Sequence, residues 1–237
     1  MTMRRSRPVI AIDGPVGAGK STVAGELARR LDFAYVNTGA MYRAVAVAAR
    51  AAGVRPGDVA EAELEAAMAP LLDEIVITFD GERVKLEGRD ITMEISQPEI
   101  SDLASRLSAL GVVRARMRAL QRAAGEAGGV VMEGRDIGTA VFPDAEIKFF
   151  LDAHIDVRAR RRWAELRAHG SALTFAQVRE QLRERDQRDQ QRPLAPLRRA
   201  ADAVVIDSSA LEAARVVDVM KARVDAASRV LQGLKRG

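Results

Sequence analysis

The sequence contains no cysteine, and aromatic residues make up only 4% of its 237 positions. Without cysteine the chain can form neither disulfide bonds nor thiolate metal sites, which fits a reducing compartment. An apolar core therefore has to be built mainly from Ala, Val, Leu and Ile. The sequence also lacks any run of about 18 apolar residues, so no membrane-spanning helix is predicted. The apolar run before Gly14 is too short for a secretory leader, and we expect a cytoplasmic protein without membrane contacts.

Basic residues are in slight excess, with 37 Lys and Arg against 33 Asp and Glu, and Arg greatly outnumbers Lys. Such a balance is compatible with nucleic acid, an anionic membrane surface or small phosphorylated ligands as partners. Which of these three kinds of partner is favoured depends on how the basic residues are arranged along the chain. The length is that of one domain with insertions.

Strand and helix patterns alternate along most of the chain. Short apolar runs typical of buried parallel strands occupy residues 9–13, 33–36, 128–133, 146–152 and 203–207. Most of the segments between these runs have helical periodicity. This alternation predicts an α/β fold, with a mostly parallel sheet and helices on both faces. Residues 75–86 instead alternate with period two around Asp80–Gly81, which predicts a small antiparallel hairpin.

We interpret the chain as a single domain, residues 1–237, with two inserts. The hairpin and its flanking helices would form an acceptor-binding insert at about residues 55–110. Two arginine-rich helices at about residues 154–194 would form a lid. The core would comprise about residues 8–54, 111–153 and 195–237.

The segment GPVGAGKST follows the first strand and opens a helix. It satisfies the pattern G-x-x-x-x-G-K-[ST], in which backbone N–H groups and a helix N-terminus bind phosphate oxygens. Lys20 is expected to contact the β- and γ-phosphates, and the Ser21 hydroxyl to bind Mg²⁺. We call this segment the phosphate loop and predict that it binds ATP through Gly14, Pro15, Val16, Gly17, Ala18, Gly19, Lys20, Ser21 and Thr22.

The loop alone does not name a reaction. The chain lacks the Asn-Lys-x-Asp motif of GTPases, and its apolar strands do not end in the Asp-Glu pair usual in motor ATPases. Arginines instead recur at helical spacing on two predicted faces. One holds Arg158, Arg161 and Arg162, and the other holds Arg185, Arg188 and Arg192 together with Asp189. Each cluster fits a solvated, ion-paired face. Each also fits a phosphate-binding lid, because guanidinium groups form bidentate hydrogen bonds with phosphate, and closure of a lid would exclude water.

Six segments resemble bacterial cytidylate kinases, in this order: GPVGAGKST, NTGAMYR, LEGRDIT, EGRDIGTAVFPDA, RERDQRDQQR and APLRRAADAVVIDSS. The resemblance extends from about Val9 to Val219. The phosphate loop is shared with many kinases, whereas the fourth and fifth segments are far more specific. The resemblance implies the P-loop kinase fold and a phosphotransferase that uses ATP and CMP or dCMP, with Mg²⁺ as cofactor. It also implies a monomer.

The resemblance further implies roles for individual residues. Four would be catalytic, with the last two in the lid: Lys20, Arg135, Arg158 and Arg162. The acceptor nucleotide would contact nine: Thr38, Arg43, Ser105, Arg114, Arg135, Asp136, Arg185, Asp189 and Arg192.

The residue types suit a cytosine ligand. Cytosine presents an amino donor, which Asp136 or the hydroxyl of Ser105 can accept, and two acceptors, which suit Arg114. A few positions depart from the family, among them Glu133, which replaces a common Asp and keeps the charge. Asn37 stands where Asp is common, so a carboxylate is lost there, while Thr38 keeps its hydroxyl.

The pentapeptide EGRDI occurs twice, at Glu87–Ile91 and Glu133–Ile137. The second copy ends an apolar strand, where α/β sheets bind ligands, so we expect its Arg135–Asp136 pair to act on substrate. The first copy ends the hairpin, where we expect a turn at Gly88 and the surface pair Arg89–Asp90.

Two other functions remain compatible with the residues. Another small P-loop kinase, acting on AMP, UMP or a non-nucleotide acceptor, would keep the phosphate loop without a cytosine reader. A nucleic-acid-binding ATPase would suit the basic charge. Single-strand binders interleave aromatic with basic residues, however, and only Trp163 and Phe175 lie near the arginine clusters, so no nucleic-acid partner is expected. Arg4, Arg5 and Arg7 are expected to form a disordered basic tip.

Overall fold

The computed structural model of the chain describes residues 5–55, 60–81, 83–168 and 170–233. The chain divides into two compact units: unit 1 is Met1–Val36 with Ala124–Gly237, and unit 2 is Asn37–Ala123. Within the described part, no helix has the length and apolar character of a membrane span.

The secondary structure follows the predicted alternation, with small differences at the ends of elements. The strands are β1 (Val9–Asp13), β2 (Ala34–Asn37), β3 (Ile77–Asp80), β4 (Arg83–Leu86), β5 (Arg89–Asp90), β6 (Val130–Gly134), β7 (Ile147–Asp152) and β8 (Val204–Asp207). The α-helices are α1 (Lys20–Leu31), α2 (Thr38–Ala51), α3 (Glu61–Glu74), α4 (Thr92–Ile95), α5 (Pro98–Leu107), α6 (Gly111–Gly125), α7 (Ile155–Ala168), α8 (Phe175–Gln191) and α9 (Ala213–Gly233). A π-helical turn, Ile137–Val141, follows β6.

The sheet of unit 1 has the order β2-β6-β1-β7-β8. Strand β1 pairs in parallel with β6 and β7, placing Val9 beside Val130 and Ile10 beside Ile147. Strand β7 pairs in parallel with β8. All five residues of β1 are buried, as expected for a parallel strand in the middle of a sheet. The predicted parallel α/β architecture is confirmed.

Aliphatic side chains from the sheet and from helices α1 and α9 form the core of unit 1. Ile12 of β1 packs in this cluster with Leu27 of α1 and Val217 of α9, and each is almost completely buried. Phe149 is among the few aromatic members. Because α1 is anchored on the sheet in this way, the loop that joins β1 to α1 is held at both ends.

Unit 2 contains helices α2 and α5, which pack against each other, and the antiparallel sheet β3-β4-β5. The predicted hairpin is confirmed, since Ile77 pairs with Leu86 and Asp80 with Arg83 across the turn at Gly81. Strand β5 and helix α4 were not predicted from the sequence. A two-residue strand and a one-turn helix are too short to show a periodic pattern.

The first described residues are ordered, so the prediction of a disordered basic tip is wrong for Arg5 and Arg7. Arg5 forms an ion pair with Asp144 at 2.7 Å. The guanidinium group of Arg7 lies 4.5 Å from the centre of the Phe33 ring. Arg4 lies outside the described residues.

The unit boundaries differ from those of the predicted core and insert. Unit 2 takes in α2 and most of α6, which the sequence analysis assigns to the core, together with the predicted insert. The helices of the predicted lid, α7 and α8, pack against each other within unit 1. The functional division into core, insert and lid stays a prediction.

Candidate functional site

The phosphate loop joins β1 to α1 in unit 1. Gly14 approaches β7 so closely that a Cβ atom there would lie 2.0 Å from the carbonyl oxygen of Leu151, so only glycine fits. Gly19, the residue before α1, has φ +91°, and no side chain caps the helix. An uncapped helix N-terminus presents N–H groups that bind anions well. The local backbone therefore suits the phosphate ligand expected from the sequence.

Lys20 begins α1 and is buried, with 6% of its surface exposed. Its Nζ donates to the carbonyl oxygen of Pro15 at 2.7 Å, which keeps the ammonium group inside the loop. Burial, and then the positive charge of Arg135, lower the pKa of Lys20 from 10.5 to about 7. Ser21 follows in the first turn of α1 and is exposed, so its hydroxyl oxygen is accessible to a hard cation.

Two side chains of α7 and one after β8 hold the backbone of the phosphate loop. Arg158 donates through Nη1 to the carbonyl oxygen of Val16 at 3.1 Å. Arg161 donates to the Ala18 carbonyl oxygen at 3.4 Å and to the Ser208 carbonyl oxygen at 2.6 Å, and the Ser208 hydroxyl donates to Ala18 at 3.0 Å. Neither Arg161 nor Ser208 is among the site residues predicted from the sequence. The helical spacing of Arg158 and Arg161 is a signal for the first, and the second lies in the family-like segment APLRRAADAVVIDSS, directly after the last predicted strand.

The two arginines predicted to act from the lid have different surroundings. Arg158 is buried and also donates to Asp186 at 2.6 Å. Burial raises the pKa of Asp186, although the charge of Arg158 favours the ionised carboxylate. Arg162 pairs instead with Glu165 of its own helix at 2.9 Å. The structure thus brings Arg158 to the phosphate loop, and a catalytic role for either arginine stays a prediction.

Two crossed ion pairs connect the end of β6 with the end of α8. Arg135 Nε lies 2.9 Å from Asp189 Oδ2, and Arg192 Nη2 lies 3.2 Å from Asp136 Oδ1. Both carboxylate residues are 5% exposed. Burial by itself would raise the pKa of Asp189, but the positive charges of Arg135, Arg185 and Arg192 hold it below its usual value. Four of the predicted acceptor-binding residues are therefore in direct contact, with a fifth close enough to contribute its charge.

The backbone that follows Asp136 forms the π-helical turn, in which the Val141 N–H donates to the Asp136 carbonyl oxygen at 3.1 Å. The first two amides of the turn, those of Ile137 and Gly138, donate to separate oxygens of Asp13, each at 2.8 Å. Asp13 is 4% exposed, and burial raises its pKa to about 6 even though both hydrogen bonds favour the ionised form. Asp13 is not among the predicted site residues, because a carboxylate at the end of an apolar strand carries no sequence signal of its partners.

Unit 2 contains the other four predicted acceptor-binding residues, Thr38, Arg43, Ser105 and Arg114. Thr38 is the first residue of α2 and is 2% exposed. The preceding Asn37 caps α2, with its side-chain oxygen accepting from the Ala40 N–H at 2.9 Å. An amide oxygen caps a helix about as well as a carboxylate oxygen does. The departure from the family's usual Asp at this position therefore preserves the start of α2.

The remaining pair in unit 2 lies on α5 and α6. Arg114 donates to the carbonyl oxygen of Ser108 at 3.3 Å. The Ser105 hydroxyl is buried and has no hydrogen-bond partner among the residues described. A buried hydroxyl without a protein partner is unusual and is consistent with a ligand contact.

Comparison with known proteins gives a match over most of the chain. The family model described as Cytidylate kinase matches residues 10–226. A cytidylate kinase of Geobacter sp. (strain M21) is 44% identical over 98% of this chain and 98% of its own length. One of Pelotomaculum thermopropionicum is 48% identical over 94% of this chain and 99% of its own. Among solved structures, an uncharacterized protein from Eubacterium ventriosum ATCC 27560 has a TM-score of 0.50 and 15% identity, covering 92% of this chain and 99% of that one, a likeness of fold alone.

Proposed function

The chain belongs to the cytidylate kinase family, and we propose that it transfers the γ-phosphoryl group of ATP to CMP or dCMP, releasing ADP and CDP or dCDP. The observation that carries the proposal is the set of crossed ion pairs, Arg135–Asp189 and Arg192–Asp136, in the same unit as the phosphate loop. A phosphate loop alone fits many kinases. Buried carboxylates that form ion pairs with arginines add groups of both kinds: the carboxylates can accept hydrogen bonds from a base and a sugar, and the arginines can bind a phosphate.

ATP binds at the phosphate loop, with its phosphates receiving hydrogen bonds from backbone N–H groups and charge from Lys20. The contacts of Arg158 and Arg161 with the carbonyl oxygens of Val16 and Ala18 support this assignment. When those oxygens are held by side chains, the neighbouring N–H groups are left to converge on an anion.

Mg²⁺ fits the residues present. The Ser21 hydroxyl is exposed beside the phosphate loop, and Mg²⁺ is usually bound by one or two protein oxygens together with phosphate oxygens. An ion held there would supply positive charge that neutralises the negative charge developing on the phosphates during transfer. The chain's own contribution to the metal is the Ser21 oxygen.

The acceptor phosphate is already anionic, so the reaction needs no general base. Catalysis then consists of in-line positioning and of charge stabilisation by Lys20 and arginines. Arg135 uses Nε for Asp189 and Nη1 for the carbonyl oxygen of Gly134. Its Nη2 group remains for the acceptor phosphate.

Base recognition is assigned to Asp136 and, in unit 2, to Ser105 and Arg114. A carboxylate accepts a hydrogen bond from the N4 amino group of cytosine and repels the O4 oxygen of uracil. The buried hydroxyl of Ser105 supports its assignment, since a ligand would satisfy it. Arg185 and Asp189 are assigned to the sugar, and Arg192 completes the pocket. Thr38 and Arg43 are assigned to the acceptor phosphate.

The aromatic residues near the arginine clusters argue against the alternative of a nucleic-acid-binding ATPase. Trp163 and Phe175 pack edge to face with ring centres 6.3 Å apart. The indole N–H of Trp163 donates to the carbonyl oxygen of Leu173 at 3.0 Å, and Arg167 covers its ring. Rings engaged in this way are poorly placed to stack on unpaired bases.

A coupled ADP-release assay tests the proposed function. We expect fast turnover of Mg·ATP with CMP and dCMP, slower turnover with UMP, and almost none with AMP, GMP or no acceptor. Lys20→Ala serves as the inactive control. A preference for a purine acceptor, or ADP release without any acceptor, would exclude the cytidylate assignment and leave ATP binding intact. Sedimentation of the same sample tests the expected monomer.

A further inference from the structure

Asp13 occupies a position shared by both substrate sites of the proposed reaction. It is the last residue of β1 and directly precedes Gly14, the first residue of the phosphate loop. Its neighbour across the sheet is Gly134 of β6, which directly precedes Arg135. The carboxylate therefore lies where two parallel strands end, one leading into the loop for ATP and the other into the residues for the acceptor.

Both oxygens of Asp13 are used to hold the second of these segments. Oδ1 accepts from the Ile137 N–H and Oδ2 from the Gly138 N–H, each at 2.8 Å. Space is tight around the second contact, since a Cβ atom on Gly138 would lie 3.4 Å from Oδ2 and 3.1 Å from Cδ of Lys148. Charge-assisted hydrogen bonds of this length are strong and directional. The backbone after Asp136 is consequently fixed to the end of β1 at two adjacent points.

We propose that Asp13 is a positioning residue that sets Arg135 and Asp136 relative to the phosphate loop and so aligns the acceptor phosphate with the γ-phosphate of ATP. The proposal rests on the proposed function and adds to it a residue that touches neither substrate. In-line transfer is sensitive to alignment, because a displacement of about 1 Å can lower the rate about 100-fold.

A carboxylate is the group that this position requires. The two neighbouring N–H donors bond to separate oxygens in this geometry. An Asn side chain has one oxygen and one NH₂ group, so Asp13→Asn would place a donor against one of the two amides. Because the site is buried, water cannot replace the lost acceptor, and the turn after Asp136 has to move.

The test compares Asp13→Asn with Asp144→Asn, which removes the same charge from the connection between the π-helical turn and β7. Asp144 contacts Arg5 and takes no part in the site. We expect Asp13→Asn to lower kcat about 100-fold and to raise the KM for CMP, with the KM for ATP nearly unchanged. Asp144→Asn should keep wild-type kinetics. Wild-type kinetics in Asp13→Asn would overturn the proposal, as would a rise in the KM for ATP alone, which would mean that Asp13 acts through Lys20.

Two further measurements separate positioning from folding. Asp13→Glu keeps the charge but displaces the carboxylate by one methylene, so the same loss of kcat is expected, and wild-type activity in this variant would contradict the proposal. Hydrogen exchange should show protected Ile137 and Gly138 amides in the wild-type protein and faster exchange of at least one of them in Asp13→Asn. Equal protection in both proteins would also overturn it. If the wild-type protein does not phosphorylate CMP, the proposed function fails, whereas an active wild type with unaffected variants removes only the role of Asp13.

Discussion

The two copies of EGRDI differ in the element that carries them. The copy in unit 2, Glu87–Ile91, runs from the turn after β4 into β5, and Glu87 has φ +51°. Arg89 and Asp90 are both exposed, as predicted. Each has a different partner: Arg89 forms an ion pair with Glu94, and Asp90 accepts from the Thr92 N–H at 2.9 Å. These contacts are local and complete the end of a hairpin.

The copy in unit 1, Glu133–Ile137, ends the buried parallel strand β6. Glu133 is 4% exposed and accepts from the Tyr35 hydroxyl at 2.8 Å. Arg135 and Asp136 pair with residues more than fifty positions away along the chain. The same residue types therefore form a candidate site only in the copy at the end of a buried strand, where they contact charged residues that are distant in sequence.

The largest difference is expected between the two arginines. Arg135→Ala should lower kcat/KM about 1,000-fold, the scale seen when a charge-stabilising donor is removed from an active site. It also leaves the buried carboxylate of Asp189 without its closest partner. Arg89→Ala should leave kcat/KM unchanged, because Arg89 is exposed and its ion pair is with Glu94 of the same unit. Initial rates at subsaturating CMP measure both, with circular dichroism as a check on folding. Similar losses in the two variants would remove the functional distinction between the copies.

Substitution of the isoleucine that ends each copy should have the same effect on stability in both. Ile91 and Ile137 are each 1% exposed, so each side chain fills a core. Ile91→Ala and Ile137→Ala should each lower the free energy of unfolding by about 3 kcal/mol, from lost burial and the cavity left behind. Urea denaturation of the two variants measures this. A loss for Ile137 alone would mean that the first copy contributes nothing to the packing of its unit.

The aspartates should differ in base selectivity. In Asp136→Asn the side chain can donate to the O4 oxygen of uracil as well as accept from cytosine. The ratio of kcat/KM for CMP to that for UMP should therefore fall about 10- to 100-fold, the value of one hydrogen bond to a charged group. Asp90→Asn is the matched control and should keep the wild-type ratio. An unchanged ratio in Asp136→Asn would show that another residue reads the base.

The smallest expected effect concerns pH. Burial and Arg135 lower the pKa of Lys20 to about 7, so free enzyme loses the ammonium charge above that pH. Affinity for ATP should then weaken as pH rises through about 7, while kcat should hold to higher pH because bound phosphates favour the charged lysine. Arg135→Met should move the fall in affinity to higher pH, and Arg89→Met should not. Calorimetric titration with ATP across the pH range compares the three proteins.

Features encoded in contiguous residues could be predicted from the sequence. The apolar runs of β1, β6 and β7 indicate buried strands whatever surrounds them, and alternation around Gly81 indicates a hairpin. The phosphate loop is a local motif between a strand and a helix, so its position follows directly. The second EGRDI copy could be identified as the functional one because it follows such a strand.

Contacts between distant segments could not be predicted. The hydrogen bonds from Ile137 and Gly138 to Asp13 join residues 124 and 125 positions apart, and no periodic pattern encodes such a partner. The arginine-rich face of α8 illustrates the same limit. Asp189 is buried while the adjacent Arg188 is exposed, a split that depends on where Arg135 arrives from β6. Spacing alone indicated a shared face and could not supply its partners.

The central place of β1 in the sheet has a consequence for synthesis of the chain. Strand β1 is made first, yet its neighbours β6 and β7 are encoded far downstream, with Val9 pairing about 120 residues later. At a translation rate of about 5–20 residues per second, the apolar segment VIAID waits about 6–24 s for its first hydrogen-bonded neighbour. Pairings this distant in sequence also form slowly in refolding. The strand that anchors the phosphate loop is thus an exposed, unpaired edge until β6 has been made, and it becomes interior to the sheet only once β7, which ends at Asp152, has followed.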